Sequence, residues 1–192
     1  MISALILAAG ESKRMGQPKM LLPWGETTVL GKVIGTFHAA GVQDVLVITG
    51  GAREQVEKAI GDSARTIFNE RYKSGEMLSS IQKGLAAMKN ETEAVLIGLG
   101  DQPQIMEETV RLVIQEYERA GAAIIVPSYQ FHRGHPWLAA RAHWKTILNM
   151  QSPDSPREFL NRFRDEIHYV EVNSATILQD LDTPEDYLKS HP

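Results

Sequence analysis

The chain contains no cysteine, which removes disulfides, thiolate metal sites and cysteine nucleophiles from consideration. It has no apolar stretch of roughly 18 residues, the length a membrane-spanning helix needs. The apolar run that starts at Ile2 lacks a basic lead-in and passes straight into a polar loop, unlike a secretory leader. A cytoplasmic location without a membrane partner is therefore the expectation. Basic excess is also missing. The chain has 20 Lys and Arg against 24 Asp and Glu, for a net charge of −4, so nothing supports general nucleic-acid binding. Tryptophans occur only at 24, 137 and 144, and these read as packing residues rather than a stacking platform. The composition is otherwise that of an ordinary folded protein. At 192 residues, a single domain over 1–192 with a substantial core is expected.

What is present is concentrated near the start. A strand-like segment, Ile2–Ala8, runs into a loop containing Gly10, Ser12, Lys13, Arg14, Gly16 and Lys19. Such a loop can turn backbone N–H groups and cationic side chains toward one polyanion. In a chain that is acidic overall, this local cluster points to a small anionic ligand, and a nucleoside triphosphate fits best. The spacing of Gly10 and Gly16 matches neither the Gly-x-x-x-x-Gly-Lys-Ser/Thr phosphate loop nor the Gly-x-Gly-x-x-Gly dinucleotide fingerprint. Pro18 also discourages a helix from starting early. A plain basic surface loop is the competing reading.

Strand and helix patterns alternate along the chain. Asp44–Ile48, Thr66–Phe68, Ala94–Leu99 and Ala123–Val126 read as strands. Ala94–Leu99 is apolar at nearly every position, as in a strand covered on both faces. Val29–Ala40, Arg53–Ile60, Met77–Met88 and Glu107–Ala120 read as helices, with Gly41, Gly61 and Gly121 placed to end three of them. Beyond Pro127 the pattern is less regular. Ala139–Asn149 and Arg157–Phe163 look helical, and Ile167–Val172 alternates like an exposed or edge strand. Pro184 opens a last short helix, with Thr183 as its N-cap and Asp186 at N3. This alternation predicts an α/β fold with a mostly parallel sheet flanked by helices.

Two acidic segments could complete a site. Asp101, in Gly100-Asp101-Gln102-Pro103, follows the most buried strand. Ligands gather at the carboxyl ends of parallel strands, where one or two carboxylates suit Mg²⁺. The same tetrapeptide is also good turn chemistry. Asp180 and Asp182 alternate around Leu181, so an extended backbone would point both carboxylates one way toward a cation. Capping of the last helix by Asp182 or Thr183 is the other reading. In Arg133-Gly134-His135-Pro136, Gly134 permits close approach to a ligand and His135 is held extended before proline. An ordinary loop histidine remains open there. A metal site built on His132 and His135 lacks partner ligands.

The segment Leu7-Ala8-Ala9-Gly10-Glu11-Ser12-Lys13-Arg14-Met15-Gly16-Gln17-Pro18-Lys19 resembles the signature of the nucleotidylyltransferase superfamily. It is most similar to the molybdenum cofactor cytidylyltransferases. The Gly-Asp-Gln-Pro and Asp180-Leu181-Asp182-Thr183-Pro184-Glu185-Asp186 segments extend the resemblance over nearly the whole chain. The resemblance implies a single-domain Rossmann-like nucleotidyltransferase fold. It implies that Leu7, Ala8, Ala9, Gly10, Ser12, Arg14 and Lys19 bind the nucleotide, and that Arg14, Lys19 and Asp101 act in catalysis. Mg²⁺ would be held by Asp101, supported by Asp182 and Asp180. Gly134, His135 and Pro136 would face the acceptor. Met77, Ser79 and Ser80 match a Gly-Met-Ser-Ser-Ser-Leu segment, which adds Ser79 and Ser80 to the nucleotide site; Glu76 and Leu78 depart from it. Asn69 matches a family asparagine. The substrates implied are CTP and molybdenum cofactor, with a molybdenum hydroxylase as the recipient enzyme. Related guanylyl enzymes carry Ala-Gly-Gly where this chain has Ala8-Ala9-Gly10, which favours CTP over GTP. Transfer to a sugar 1-phosphate, and a non-catalytic carrier of the cofactor, remain the alternatives.

Overall fold

The computed structural model describes residues 1–74 and 76–192. Its strands are β1 (Ile2–Ala8), β2 (Pro23–Trp24), β3 (Thr27–Thr28), β4 (Asp44–Thr49), β5 (Arg65–Phe68), β6 (Ala94–Leu99), β7 (Ile124–Tyr129), β8 (His132–Arg133), β9 (Trp137–Ala140) and β10 (Ile167–Glu171). The helices are α1 (Val29–Ala39), α2 (Arg53–Ile60), α3 (Glu76–Ala86), α4 (Glu107–Ala120), α5 (Trp144–Asn149), α6 (Pro156–Arg162) and α7 (Pro184–Ser190). Among the described residues, no helix is long and apolar enough to cross a membrane.

The main sheet runs β10-β7-β9-β6-β1-β4-β5, with β8 paired to β7, and β2 and β3 form a separate hairpin. Strands β6, β1, β4 and β5 are mutually parallel. From β1 the chain goes first to β4 on one side and later to β6 on the other. The strand order thus reverses at β1, the place where open α/β sheets form a ligand crevice beyond the carboxyl ends of their strands. The loop carrying Gly10–Lys19 and the turn carrying Asp101 both leave the sheet there.

The apolar runs follow from the two covered faces of this sheet. Successive strand residues point to opposite sides. Ala4 and Ile6 of β1 join a core with Leu30, Val33 and Phe37 of α1 and Val110 and Val113 of α4. Leu5 and Leu7 join another with Ile81 and Leu85 of α3, Trp137, Trp144 and Phe159. Each face excludes water, so neither set of positions tolerates polar side chains. All three tryptophans are buried, as expected of packing residues.

The expected helix over Ala139–Asn149 is a correction. Trp137–Ala140 is strand β9, inserted antiparallel between β6 and β7, and helix α5 starts only at Trp144. Here the unpaired edges of two flanking strands outweigh the helix preference of alanine, because their backbone groups need partners when buried. The edge position of β10 and the Thr183 cap of α7 agree with expectation.

A smaller apolar cluster gathers Met15, Leu22, Trp24, Val29 and Leu181, with Tyr187 packed against it. Tyr187 also donates its hydroxyl to the Pro23 carbonyl at 2.7 Å. These contacts fasten the first loop and the β2–β3 hairpin to the acidic segment near residue 181.

Candidate active site

The crevice is built from β1 outward. Leu7, Ala8 and Ala9 are buried, and Gly10 emerges exposed. The Gly100 N–H donates to the Leu7 carbonyl at 2.9 Å, and the Gly51 N–H to the Ala9 carbonyl at 3.3 Å. A Cβ added to Gly50 would lie 2.2 Å from the Ala9 oxygen, closer than packed atoms can approach. The loops after β4 and β6 therefore clamp the start of the first loop. Ser12 closes its remainder. Its carbonyl accepts from the N–H groups of Met15 and Gly16 at 3.0 and 3.2 Å, and its hydroxyl accepts from the Lys19 N–H at 3.1 Å. Ser12 adopts φ +52°, in the left-handed region that non-glycine residues rarely occupy. Met15, buried in the small apolar cluster, anchors the middle of the loop.

Lys19 is the centre of the site. Its ammonium pairs with the carboxylate of Asp101 and, at 3.2 Å, with Oδ1 of Asp182. Arg14 reaches the other oxygen of Asp182 at 2.9 Å. The Lys19 and Asp101 side chains are only 11% and 15% exposed, so water screens their attraction weakly. Burial alone would lower the Lys19 pKa, but the charges and hydrogen bonds of Asp101 and Asp182 outweigh it. The pKa is raised and the ammonium stays charged.

Asp180 and Asp182 do not share one partner, contrary to the expectation from their spacing. Asp182 faces the cations, whereas Asp180 accepts from the Gln102 side chain at 2.6 Å. Leu181 between them is buried, and its N–H donates to the Asp101 carbonyl at 3.0 Å. The Asp180 pKa is raised by burial first, then by the negative charge of Asp101, against the hydrogen bond from Gln102; Asp182 also raises it. Of the two readings of the last acidic segment, the structure shows the helix cap. Thr183 caps α7, while Asp182, one residue earlier, is left to face Lys19 and Arg14.

Two carboxylates, Asp101 and Asp182, thus meet Lys19 and Arg14, and the third, Asp180, lies close enough for their charge to add to the burial that raises its pKa. Hard carboxylate oxygens in this setting fit a divalent ion such as Mg²⁺, which takes one or two carboxylates and completes its shell with phosphate and water. Among the described residues, no three acidic or imidazole groups already converge at metal-binding spacing.

The remaining candidates sit on other elements. Ser79 and Ser80 are buried on α3 and receive hydrogen bonds from the Asn69 amide at 2.9 and 3.0 Å. Gly75 of the departing segment lies outside the described residues. Gly134 and His135 border a cavity of about 750 Å³, also lined by Met77, Trp137, Arg157 and Leu178. A Cβ on Gly134 would come 2.6 Å from Ile177 side-chain atoms. Glycine is required there by protein packing, in addition to any ligand. Burial depresses the His135 pKa to about 4, so its ring is neutral near pH 7. Pro136 is buried beside it, joined by a cis peptide bond.

Gly50, Gln102 and Leu181 carry little signal of their own in the sequence. Gln102 lies inside Gly100-Asp101-Gln102-Pro103, and Leu181 lies between two acids. Gly50 has only its place at the end of a strand pattern as a signal.

Residues 4–167 match the family model described as MobA-like NTP transferase domain. The chain is 29% identical over 188 residues to the molybdenum cofactor cytidylyltransferase of Escherichia coli (strain K12), covering 97% of this chain and 94% of that one. It is 27% identical over 192 residues to the nicotine blue oxidoreductase of Paenarthrobacter nicotinovorans, covering 96% and 93%. The crystal structure of Rv0371c from Mycobacterium tuberculosis H37Rv aligns with a TM-score of 0.85 at 28% identity, over 98% of this chain and 96% of that one. A manganese complex of Rv0371c aligns with a TM-score of 0.83 at 27% identity, over the same 98% and 96%.

Proposed function

The chain belongs to the MobA-like NTP transferases, and from that membership we propose that it transfers the cytidylyl group of CTP to the terminal phosphate of molybdenum cofactor. Nucleotidyl transfer is the activity of the class. The choice of CTP and of this acceptor rests on Ala8-Ala9-Gly10 and on the full-length likeness to the Escherichia coli cytidylyltransferase. The observation that carries the reading is the meeting of Lys19 with Asp101 and Asp182 at the strand-order reversal.

In the reaction, an oxygen of the acceptor phosphate attacks the α-phosphorus of CTP. The bond from that phosphorus to the bridging oxygen breaks, and pyrophosphate leaves with the electron pair. An ionised phosphate is already nucleophilic at neutral pH, so no strong base is required. The barrier lies in bringing two anions together and in charge growth on the leaving group. Arg14 and Lys19 supply fixed positive charge to the triphosphate and transition state. The N–H groups around Ala9–Arg14 orient the phosphates. Mg²⁺ held by Asp101 and Asp182, with Asp180 beside them, would neutralise phosphate oxygens. Gly134 and His135 border the cavity that would take the acceptor, with Pro136 next in the chain, and the neutral His135 can donate or accept a hydrogen bond there without adding charge.

Pyrophosphate release is the direct test, measured with CTP, GTP, ATP and UTP in Mg²⁺, with and without molybdenum cofactor. Release with CTP only when the cofactor is present is the expected result. Release that depends on a sugar 1-phosphate would overturn the acceptor. Tight cofactor binding without release under any condition would support a carrier. The likeness to nicotine blue oxidoreductase favours a second, redox reading. Oxidation of a reduced nicotinamide without pyrophosphate release would establish that reading instead.

A further inference from the structure

Lys19 sits between the two acids that would hold a metal ion. Its ammonium touches carboxylate oxygens of both Asp101 and Asp182, the two acids expected to hold Mg²⁺. Its backbone and stem are well held. Its side chain is 11% exposed, its N–H is held by Ser12, and it begins a short helical turn packed through the buried Met20. Arg14, in contrast, is 69% exposed and, among the described residues, reaches Asp182 alone, from the outside. A divalent ion bridging Asp101 and Asp182 would meet the ammonium in the same space. Moving a buried ammonium away from both carboxylates strands it unless another anion receives it. The triphosphate is that anion.

On the reading of the site given above, we propose that Lys19 excludes the divalent ion from Asp101 and Asp182 until a nucleoside triphosphate draws the lysine away. Metal and nucleotide then assist each other's binding by the same factor, as linkage requires. Free divalent ions bind the empty site weakly, and the nucleotide arrives with its metal. The device keeps the acidic site from holding an ion without a substrate phosphate to act on.

The test is Mn²⁺ binding to the nucleotide-free protein, followed by electron paramagnetic resonance of the free ion. Lys19→Met vacates the carboxylates while keeping an unbranched side chain. It is expected to bind Mn²⁺ about tenfold or more tightly than the wild type, within the usual range of such couplings. Lys19→Gln serves in the same comparison and guards against a folding defect of the methionine variant. Lys13→Met removes one positive charge from the same loop, where Lys13 pairs with Glu11 instead, and is expected to change Mn²⁺ affinity little. Equal affinity in wild type and both Lys19 variants would overturn the exclusion, as would an equal gain from Lys13→Met. The double variant Lys19→Met/Asp101→Asn separates this idea from the underlying site. If it keeps the full gain, Asp101 is not a ligand and the site reading fails as well. If Asp101→Asn weakens Mn²⁺ binding but Lys19→Met does not strengthen it, the site stands and only the exclusion falls.

Discussion

The backbone N–H of Leu181 donates to the carbonyl oxygen of Asp101 at 3.0 Å. This one bond joins the turn after β6 to the acidic segment before α7, and the buried Leu181 side chain reinforces it from the small apolar cluster. The position of Asp182 at Lys19 depends on this join. Leu181→Ala would leave a cavity and lose about 3 kcal/mol of stability. Because Asp182 is then less well placed, kcat is expected to fall roughly tenfold or more at a temperature where the variant is folded. Denaturant unfolding and steady-state kinetics on the same sample check both parts. Full kcat in a destabilised variant would mean that the segment only supports the fold.

Asp101→Asn is expected to abolish transfer with the fold retained. The Lys19 ammonium keeps Asp182 as a partner, so the stability loss is about 1 kcal/mol. Circular dichroism and pyrophosphate release are the measurements. Wild-type turnover by this variant in Mg²⁺ would sink the metal assignment.

Gly50→Ala places a methyl 2.2 Å from the Ala9 carbonyl oxygen. It is expected to cost about 1–3 kcal/mol and to raise the Kd for CTP, because Ala9 must shift. Gly35, inside α1, has nothing within 4 Å of an added Cβ. Gly35→Ala should therefore stabilise by about 0.5–1 kcal/mol and leave CTP binding unchanged. Calorimetric titration with CTP distinguishes the two variants.

Asp44, at the start of β4, is remote from the crevice and governs acid stability. Burial opposes its ionisation, but hydrogen bonds from Arg65, Ser3 and Lys89 outweigh this and hold its pKa at about 2. The unfolded chain takes up this proton at higher pH, near the ordinary aspartate value of about 3.9. The stabilisation is thus complete above about pH 4 and is lost as pH falls toward about 2. It amounts to about 1–2 kcal/mol once the exposure of Arg65 and Lys89 is allowed for. Arg65→Met should flatten the unfolding free energy between pH 4 and about 2, as read by urea titration.

His135 works over a higher pH window. Its pKa in the fold is about 4, against about 6.5 unfolded. Between these values the unfolded chain binds the proton and the folded chain does not, so stability falls as pH drops from about 6.5 toward 4. His135→Asn should remove that slope. An unchanged slope between pH 6.5 and 5 would show that the ring is hydrated in the folded protein.

The local features are legible in the residues alone: the apolar strands β1 and β6, the glycine-bearing loop, the Thr183 cap and the presence of Asp101, Asp180 and Asp182. These follow from periodicity and capping chemistry, which act over a few residues. Which acid meets which cation is settled by the folded arrangement. Lys19 and Asp182 lie 163 positions apart, and their contact depends on strand order, on the burial of Leu181 and on the clamp at Ala9. The same holds for β9, whose alanines read as helix until the open edges of β6 and β7 required a strand between them. Alternation likewise placed Asp180 and Asp182 on one side of an extended segment, but Gln102 turned Asp180 to a different partner. Side-chain spacing sets what is possible along one element, whereas pairing across the fold is set by which buried groups must be satisfied together.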